Sequence, residues 1–348
     1  MATVVINSNI PKNFGYDAPA PRGTSSTSLA GGFFFYSNNP ETVKSPAIAD
    51  NGCYLNRAPV KGTGQVYTWH SNGTGSMLTN CILVYNPNAF PIKVASSNYG
   101  LTKYSGAQPD SNAWLSFWNT SMYSPVSVTV QPGSYGNIFL QSGIPNGGVF
   151  GIVARVSVTD SNNGTDANAT LWDLAYISNS GNAQSSAATD GTNRVRGIAQ
   201  GGYWNTTNFN ALSPSDQKGK YYSFAAAGDT FNGADVPWVG DQSGAASGGV
   251  LGNYGQQMNI TLPIYNNSGS SRTYRIFIGS TGGLLFPCFY YQGVGYRYSP
   301  SGWGDVAGWS SIDILEVTVG AWATQSESFQ VVVPAVSSTP LAIGARLL

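Results

Sequence analysis

Apolar residues spaced two apart recur along this chain, as in Val126-Ser-Val-Thr-Val130, Tyr274-Arg-Ile-Phe-Ile278 and Ile312-Asp-Ile-Leu-Glu-Val-Thr-Val319, and no long segment carries a 3.6-residue stripe. Successive side chains of a strand point to opposite faces, so this period belongs to half-buried strands; a helix would bring i, i+3 and i+4 together. Turn-forming clusters break the runs at short intervals, at Asn86-Pro-Asn88, Gln131-Pro-Gly133, Ser161-Asn-Asn-Gly164 and Asn266-Asn-Ser-Gly269. Short strands with frequent turns predict an all-β chain made of antiparallel β-sandwiches, Ig-like or jelly-roll-like.

The two halves carry one arrangement twice. Cys81-Ile-Leu-Val-Tyr-Asn-Pro-Asn-Ala-Phe-Pro-Ile-Lys-Val94 reads as strand, Asn-rich turn, strand, and Ile260 to Ile278 has the same form; each holds an apolar strand ending in Tyr-Asn. Downstream, Val126 to Val130, a Pro-Gly turn and Asn137-Ile-Phe-Leu140 are matched by Leu315 to Val319, a polar turn and Phe329 to Val333. One sandwich type used twice explains this, although any two antiparallel β-domains share some of it. The 348 residues suffice for two ordinary cores. The polar small-residue stretch Ser178 to Gly191 puts the join near residue 185, giving tandem domains at 31–185 and 186–348. Residues 1–30 read as an extended arm, with Val4, Val5 and Ile6 as a short strand ahead of Pro11, Pro19 and Pro21. Such a strand is too short to persist alone and needs a sheet edge, on its own domain or on a neighbour.

Charged residues make up 9% of the chain, against roughly 25% in ordinary soluble domains. Sixteen basic residues balance sixteen acidic ones, which excludes a basic field for nucleic acid and removes the repulsion that keeps copies apart. Hydrophobic residues at 41%, with 13% aromatic, are enough to offset the ordering entropy. The longest apolar runs, Gly31 to Tyr36 and Gly283 to Tyr291, fall short of the ~18 residues that cross a bilayer. Membrane insertion is therefore not expected, and Met1 to Tyr16 lacks the basic and apolar segments of a secretory leader.

His70 is the only histidine, so no site can use two imidazoles, and a Ser-His-Asp arrangement would have to use this one. There is no nucleophile elbow and no phosphate-cradling glycine loop. Among the acids, Asp173 and Glu316 are the least loop-like and the only plausible carboxylate chemistry; Asp160 to Asp166 gathers oxygen donors but lacks the spacing of an EF-hand calcium loop. Cys53, Cys81 and Cys288 form no CxxC pair and read as small buried hydrophobes, with a Cys53 to Cys81 bridge as the alternative. No catalytic residue, cofactor or metal is expected. Aromatic residues crowd two places, Trp114 with Trp118, and Tyr290, Tyr291, Tyr296, Tyr298, Trp303 and Trp309. Displayed on a sheet, these rings would stack on sugars or pack against another subunit, and core packing is the competing role for each.

Gly64-Gln-Val-Tyr-Thr-Trp-His-Ser-Asn-Gly-Thr74, Asn98-Tyr-Gly-Leu101, Pro132-Gly133, Leu251-Gly-Asn-Tyr-Gly255 with Ile260-Thr-Leu-Pro263, Gly282-Gly283 and Thr339-Pro-Leu-Ala-Ile343 occur in an order that resembles surface proteins of Gram-positive bacteria associated with the copper amine oxidase N-terminal, or stalk, domain. The resemblance implies an extracellular pair of β-sandwiches without catalytic residues. It does not extend to copper, which needs three histidines and a tyrosine followed by an acid; Tyr99 and Tyr254 are each followed by Gly. The expectation is a non-enzymatic structural subunit of an extracellular or surface assembly (a layer, filament, spore appendage or capsid-like shell), homo-oligomeric or polymeric. The alternative is an adhesion module for glycans or surface proteins.

Overall fold

The computed structural model describes residues 1–6, 11–15, 17–21, 23, 26–44, 52–105, 110–119, 124–177, 196–224, 254–298 and 307–348. In chain order the strands of the first half are β1 (Thr3–Val4), β2 (Lys12–Asn13), β3 (Ser26–Ala30), β4 (Phe33–Ser37), β5 (Thr42–Lys44), β6 (Cys53–Gly73), β7 (Leu78–Tyr85), β8 (Ile92–Tyr104), β9 (Val126–Val130), β10 (Tyr135–Ile144), β11 (Val149–Asp160) and β12 (Asn168–Tyr176). Then follow β13 (Arg196–Gln200), β14 (Tyr203–Thr207), β15 (Lys220–Phe224), β16 (Gln257–Tyr265), β17 (Arg272–Ser280), β18 (Cys288–Tyr291), β19 (Val294–Arg297), β20 (Ser310–Val319), β21 (Thr324–Val331) and β22 (Leu341–Leu347). One helix, α1 (Ser111–Trp118), lies between β8 and β9. The chain is all-β, as its alternation predicts.

The chain separates into two compact units. Unit A is built from the described residues of Met1–Leu29, Tyr203–Asp235 and Leu251–Leu348, and unit B from those of Ala30–Gly202. These limits differ from an arm at 1–30 followed by tandem domains at 31–185 and 186–348. Strand pairing is the reason: β1 and β2 add to β20, so the first residues join the C-terminal unit, while β13 runs antiparallel to β4 and keeps Arg196–Gln200 with unit B. The expected join near residue 185 lies outside the described residues.

Unit A is a two-layer sandwich. Sheet β1-β20-β17-β22-β15, with β2 also on β20, faces sheet β19-β18-β21-β16-β14-β3. The layers share one core, in which Ile276, Ile278 and Ile343 from the first meet Ile260, Leu262, Phe329 and Val331 from the second. In unit B a ten-stranded sheet, ordered β10-β7-β12-β6-β11-β8-β9, curls until its end strands β9 and β10 lie side by side. The 21-residue β6 belongs to both layers: Cys53 to Lys61 pairs with β12, and Gly62 to Ser71 pairs with β11. The change falls at Gly62, whose φ of +67° suits glycine and where an added Cβ would meet the Asp166 carboxyl 2.6 Å away.

Both units contain the arrangement read twice in the sequence. β7 pairs with β10 and β8 with β9; likewise β16 pairs with β21 and β17 with β20. The chain thus crosses from layer to layer after β7 and after β16, and at each crossing stands a buried asparagine. Asn86 Oδ1 accepts the Asn88 N–H at 2.9 Å, while its Nδ2 donates to the Phe90 and Val130 carbonyls at 2.8 and 2.9 Å. Asn266 repeats this with the Ser268 N–H at 3.1 Å and the Ser270 and Val319 carbonyls at 2.8 and 3.0 Å. A third copy, Asn72, clasps Thr74, Ser76 and Ile144 in the same way. The side-chain amide has the two donors and the acceptor that this corner needs, which is why the strand ends in Asn.

The helix α1 went unread as a helix because it is short. Its Trp114, Phe117 and Trp118 stand at i, i+3 and i+4 and are all buried. It lies so close to β8 that a Cβ on Gly100 would come within 1.9 Å of the Ala113 carbonyl oxygen.

Candidate functional site

The expected arm lies on unit A of its own chain. Thr3 and Val4 pair with Glu316 and Leu315, the Val5 N–H donates to the Ile314 carbonyl at 3.0 Å, and Ile6 enters the core. Lys12 and Asn13 pair with Ser311 and Ser310. Phe14 then turns onto the outer side of the same sheet, buried against Tyr221, Phe277 and Ala342, with Trp309 beside it. Its ring centroid lies 5.0 Å from that of Tyr221 and 5.7 Å from that of Phe277. Next to this plug, Arg346 holds Asp313 at 2.8 Å and stacks on Phe277 at 4.6 Å, and Lys12 reaches Asp313 at 3.9 Å. Burial pulls the Arg346 pKa down, and the Asp313 carboxylate opposes it. The arm therefore closes both an edge and an outer face through Val4, Ile6, Lys12 and Phe14.

The aromatic residues expected to be on display are mostly core. Trp114 is 0% exposed and stacks on Tyr67 at 6.0 Å, and Trp118 packs on Trp114 at 5.6 Å. Helix packing on β8 leaves neither with a face for a ligand, which corrects the stacking role for both. Tyr291 and Tyr298 are buried in the core of unit A as well, so the same correction applies. Tyr291 donates to Glu327 at 2.8 Å, and burial, then this bond, pushes its pKa up to about 12. Tyr296, half-buried, stacks on Phe289 at 5.1 Å; Tyr290 is also half-buried, and Trp309 borders Phe14. Trp303 lies outside the described residues.

An aromatic surface does exist, on residues the expectation missed. In unit B the outer face of β7, β12 and the first part of β6 carries Leu83 and Trp172, both buried, beside the half-buried Tyr54, Tyr85 and Tyr176, and β10 adds the exposed Tyr135. The Arg57 guanidinium lies 5.0 Å from the Trp172 ring and 5.1 Å from that of Tyr54. The signal was present in the sequence: Cys81 to Tyr85 is apolar at five successive positions, so both faces of that strand are apolar.

The lone histidine is structural. Its Nδ1 donates to the Pro40 carbonyl at 2.6 Å, and its Nε2 lies 2.9 Å from Asp173 Oδ2 and 3.2 Å from Ser37 Oγ. A serine nucleophile needs the nitrogen opposite the carboxylate. Here serine and carboxylate share Nε2, all three residues are wholly buried, and Asn80 donates to the other Asp173 oxygen at 2.7 Å. Glu316, the second carboxylate singled out, pairs with Arg275 at 2.5 Å. Asp160 spends its oxygens within its own turn, on the Asn162 N–H at 2.8 Å and Asn163 Nδ2 at 2.9 Å, so the candidate calcium loop is a braced turn.

Cys53, Cys81 and Cys288 are all buried. Cys53 pairs with Ala175 and Cys81 with Leu174, neighbours on β12 whose side chains point to opposite faces, which rules out the bridge. Burial, then the nearby Asp173, pushes both thiol pKa values up to about 12. Among the described residues no three His, Cys, Asp or Glu side chains gather to hold a metal ion, and no helix is long and apolar enough to cross a membrane.

Fold and surfaces together define an all-β protein of two units, one closed by a strand-and-plug arm and the other bearing an aromatic sheet face. No family model matches the chain, and no curated protein matches it.

Proposed function

We propose that the chain is a non-enzymatic structural subunit that assembles with copies of itself into an extracellular or cell-surface structure, such as a layer, filament, appendage or capsid-like shell. The arm carries this reading. It reaches its sheet through two ladders of two residues each, with Ala2 and Ile6 in the core, Phe14 on the outer face and the exposed Lys12 ammonium near Asp313. The strand and ring contacts of its described residues are made with the body of unit A, and every copy of the chain carries the same seat. Strand addition of this kind satisfies edge backbone groups and fills a pocket at once. Zero net charge leaves little repulsion between copies.

The test uses the paired positions Thr3 and Glu316. Thr3→Cys and Glu316→Cys chains, mixed and oxidised, are expected to give cross-linked dimers. The double variant, locked within one chain, is expected to lose the ordered assemblies that wild type forms in negative-stain microscopy. Cross-links confined to the double variant, with monodisperse wild type at every concentration, would overturn the proposal.

A further inference from the structure

The aromatic face of unit B has a groove of about 560 Å3 between Arg57, Pro59, Tyr85, Tyr135, Thr170 and Trp172, within the range of about 300–1,000 Å3 typical of small-ligand sites. Strand register explains the grouping. Tyr135, Tyr85, Thr170 and Pro59 are successive partners across β10, β7, β12 and β6, and Leu83, Trp172 and Arg57 form the next row. Tyr135 is 46% exposed, and its ring centroid lies 4.9 Å from that of Tyr85 at an interplanar angle of 39°. The two rings form an open platform, with Trp172 as floor.

Arg57 gives the groove its sign. It is exposed, it rests on two rings, and among the described residues it meets no carboxylate within ion-pair distance. A guanidinium resting against rings still has N–H groups for a planar anion, and a carboxylate can take two parallel hydrogen bonds from it. Thr170 adds a hydroxyl. The apolar platform suits the C–H face of a pyranose ring, whose hydroxyls need polar neighbours at its rim. The groove has six lining residues, whereas a stable protein contact takes about 20–30 a side.

We infer that this groove binds an acidic glycan, a pyranose carrying a carboxylate, with the sugar face on Tyr85 and Tyr135 and the carboxylate on Arg57. The assignment is independent of the arm, which belongs to unit A.

Calorimetry with short oligomers of galacturonate, glucuronate and sialic acid, each against its neutral counterpart, tests it. At least one acidic oligomer is expected to bind, about tenfold or more tighter than the neutral sugar, and more weakly as salt rises. Arg57→Gln and Tyr135→Ala change exposed side chains, so both variants should keep the wild-type near-ultraviolet circular dichroism. Each is expected to weaken binding about tenfold or more. The assignment is overturned if no acidic oligomer binds, if the neutral sugar binds equally well, or if folded variants bind as wild type. It is also overturned if sedimentation equilibrium finds a dimer that Tyr135→Ala dissociates, since the face would then be a contact between copies.

Discussion

Replacing Asn266 by Ala removes one side chain from a corner where three carbonyls and two donors converge on it. Nδ2 donates to Ser270, Val319 and Gly320 at 2.8, 3.0 and 2.9 Å, and Oδ1 accepts from the Ser268 N–H and Oγ at 3.1 and 2.8 Å. The Val319 carbonyl is the buried one. It keeps Ser271 Oγ as a donor at 3.3 Å, so the five lost bonds at about 0.5–1 kcal/mol each total about 3 kcal/mol. With a urea slope of about 2 kcal/mol/M, the unfolding midpoint of unit A falls by about 1.5 M. Asn86→Ala has the same arithmetic around Val130 and lowers the stability of unit B. Hydrogen exchange separates the two: Asn266→Ala should loosen β16, β17, β20 and β21, and Asn86→Ala should loosen β7 to β10. Asn266→Asp keeps the acceptor but turns an oxygen toward those carbonyls, so it should cost at least as much as alanine. A midpoint shift below about 0.5 M for both alanine variants, under 1 kcal/mol by the same slope, would refute the clasp as the device that holds the layer crossing.

Two further predictions follow from individual residues. Trp322 occupies the turn position held by Gly133 in the other unit, at φ +55° against +66°, and is 65% exposed; Trp322→Asn should raise thermal stability by about 0.5–1 kcal/mol and Gly133→Ala should lower it by about 1 kcal/mol, as read by thermal melts. Cys53 and Cys81 are raised from 9.0, and Tyr222 and Tyr291 from 10.0, to about 12. The unfolded chain therefore loses these protons first. Stability is full below about pH 9 and declines as pH rises toward 12, by at most about 1.4 kcal/mol per pH unit for each group, in urea titrations at stepped pH. Stability that stays level or rises across that window would contradict the burial of these groups.

The strand class was legible because alternation is a local property, and the paired corners were legible because Tyr85-Asn86 and Tyr265-Asn266 both end an apolar strand. Pairing between strands far apart in sequence was not. Thr3 opposite Glu316 and His70 beside Asp173 depend on chain-wide topology, and a single sequence gives no period for that. The aromatic clusters failed for a related reason. Trp114 and Tyr135 are both aromatic, but only topology says that one lies under β8 and the other faces solvent. A parity count of β7 would have helped, since five successive apolar residues cannot all face one core.

The few charges of this chain are spent inside it as much as outside. Asp173, Arg196, Asp313 and Arg346 are buried, as are Asp110, Asp160 and Glu327, so the surface is poorer in charge than the 9% total suggests. The proposed association between copies would then depend on apolar area and backbone pairing more than on charge. At the arm this has a specific consequence. If Phe14 and Lys12 leave, Asp313 still has Arg346, but Phe277, Tyr221 and Ala342 lose their cover. That apolar patch is stable only when some Phe14 fills it. In the proposed assembly a neighbour's arm would make the same contacts as the chain's own, so contact energy would not choose between them, and the choice would fall to protein concentration and to the stretch between Gly15 and β3 that decides how far an arm can reach.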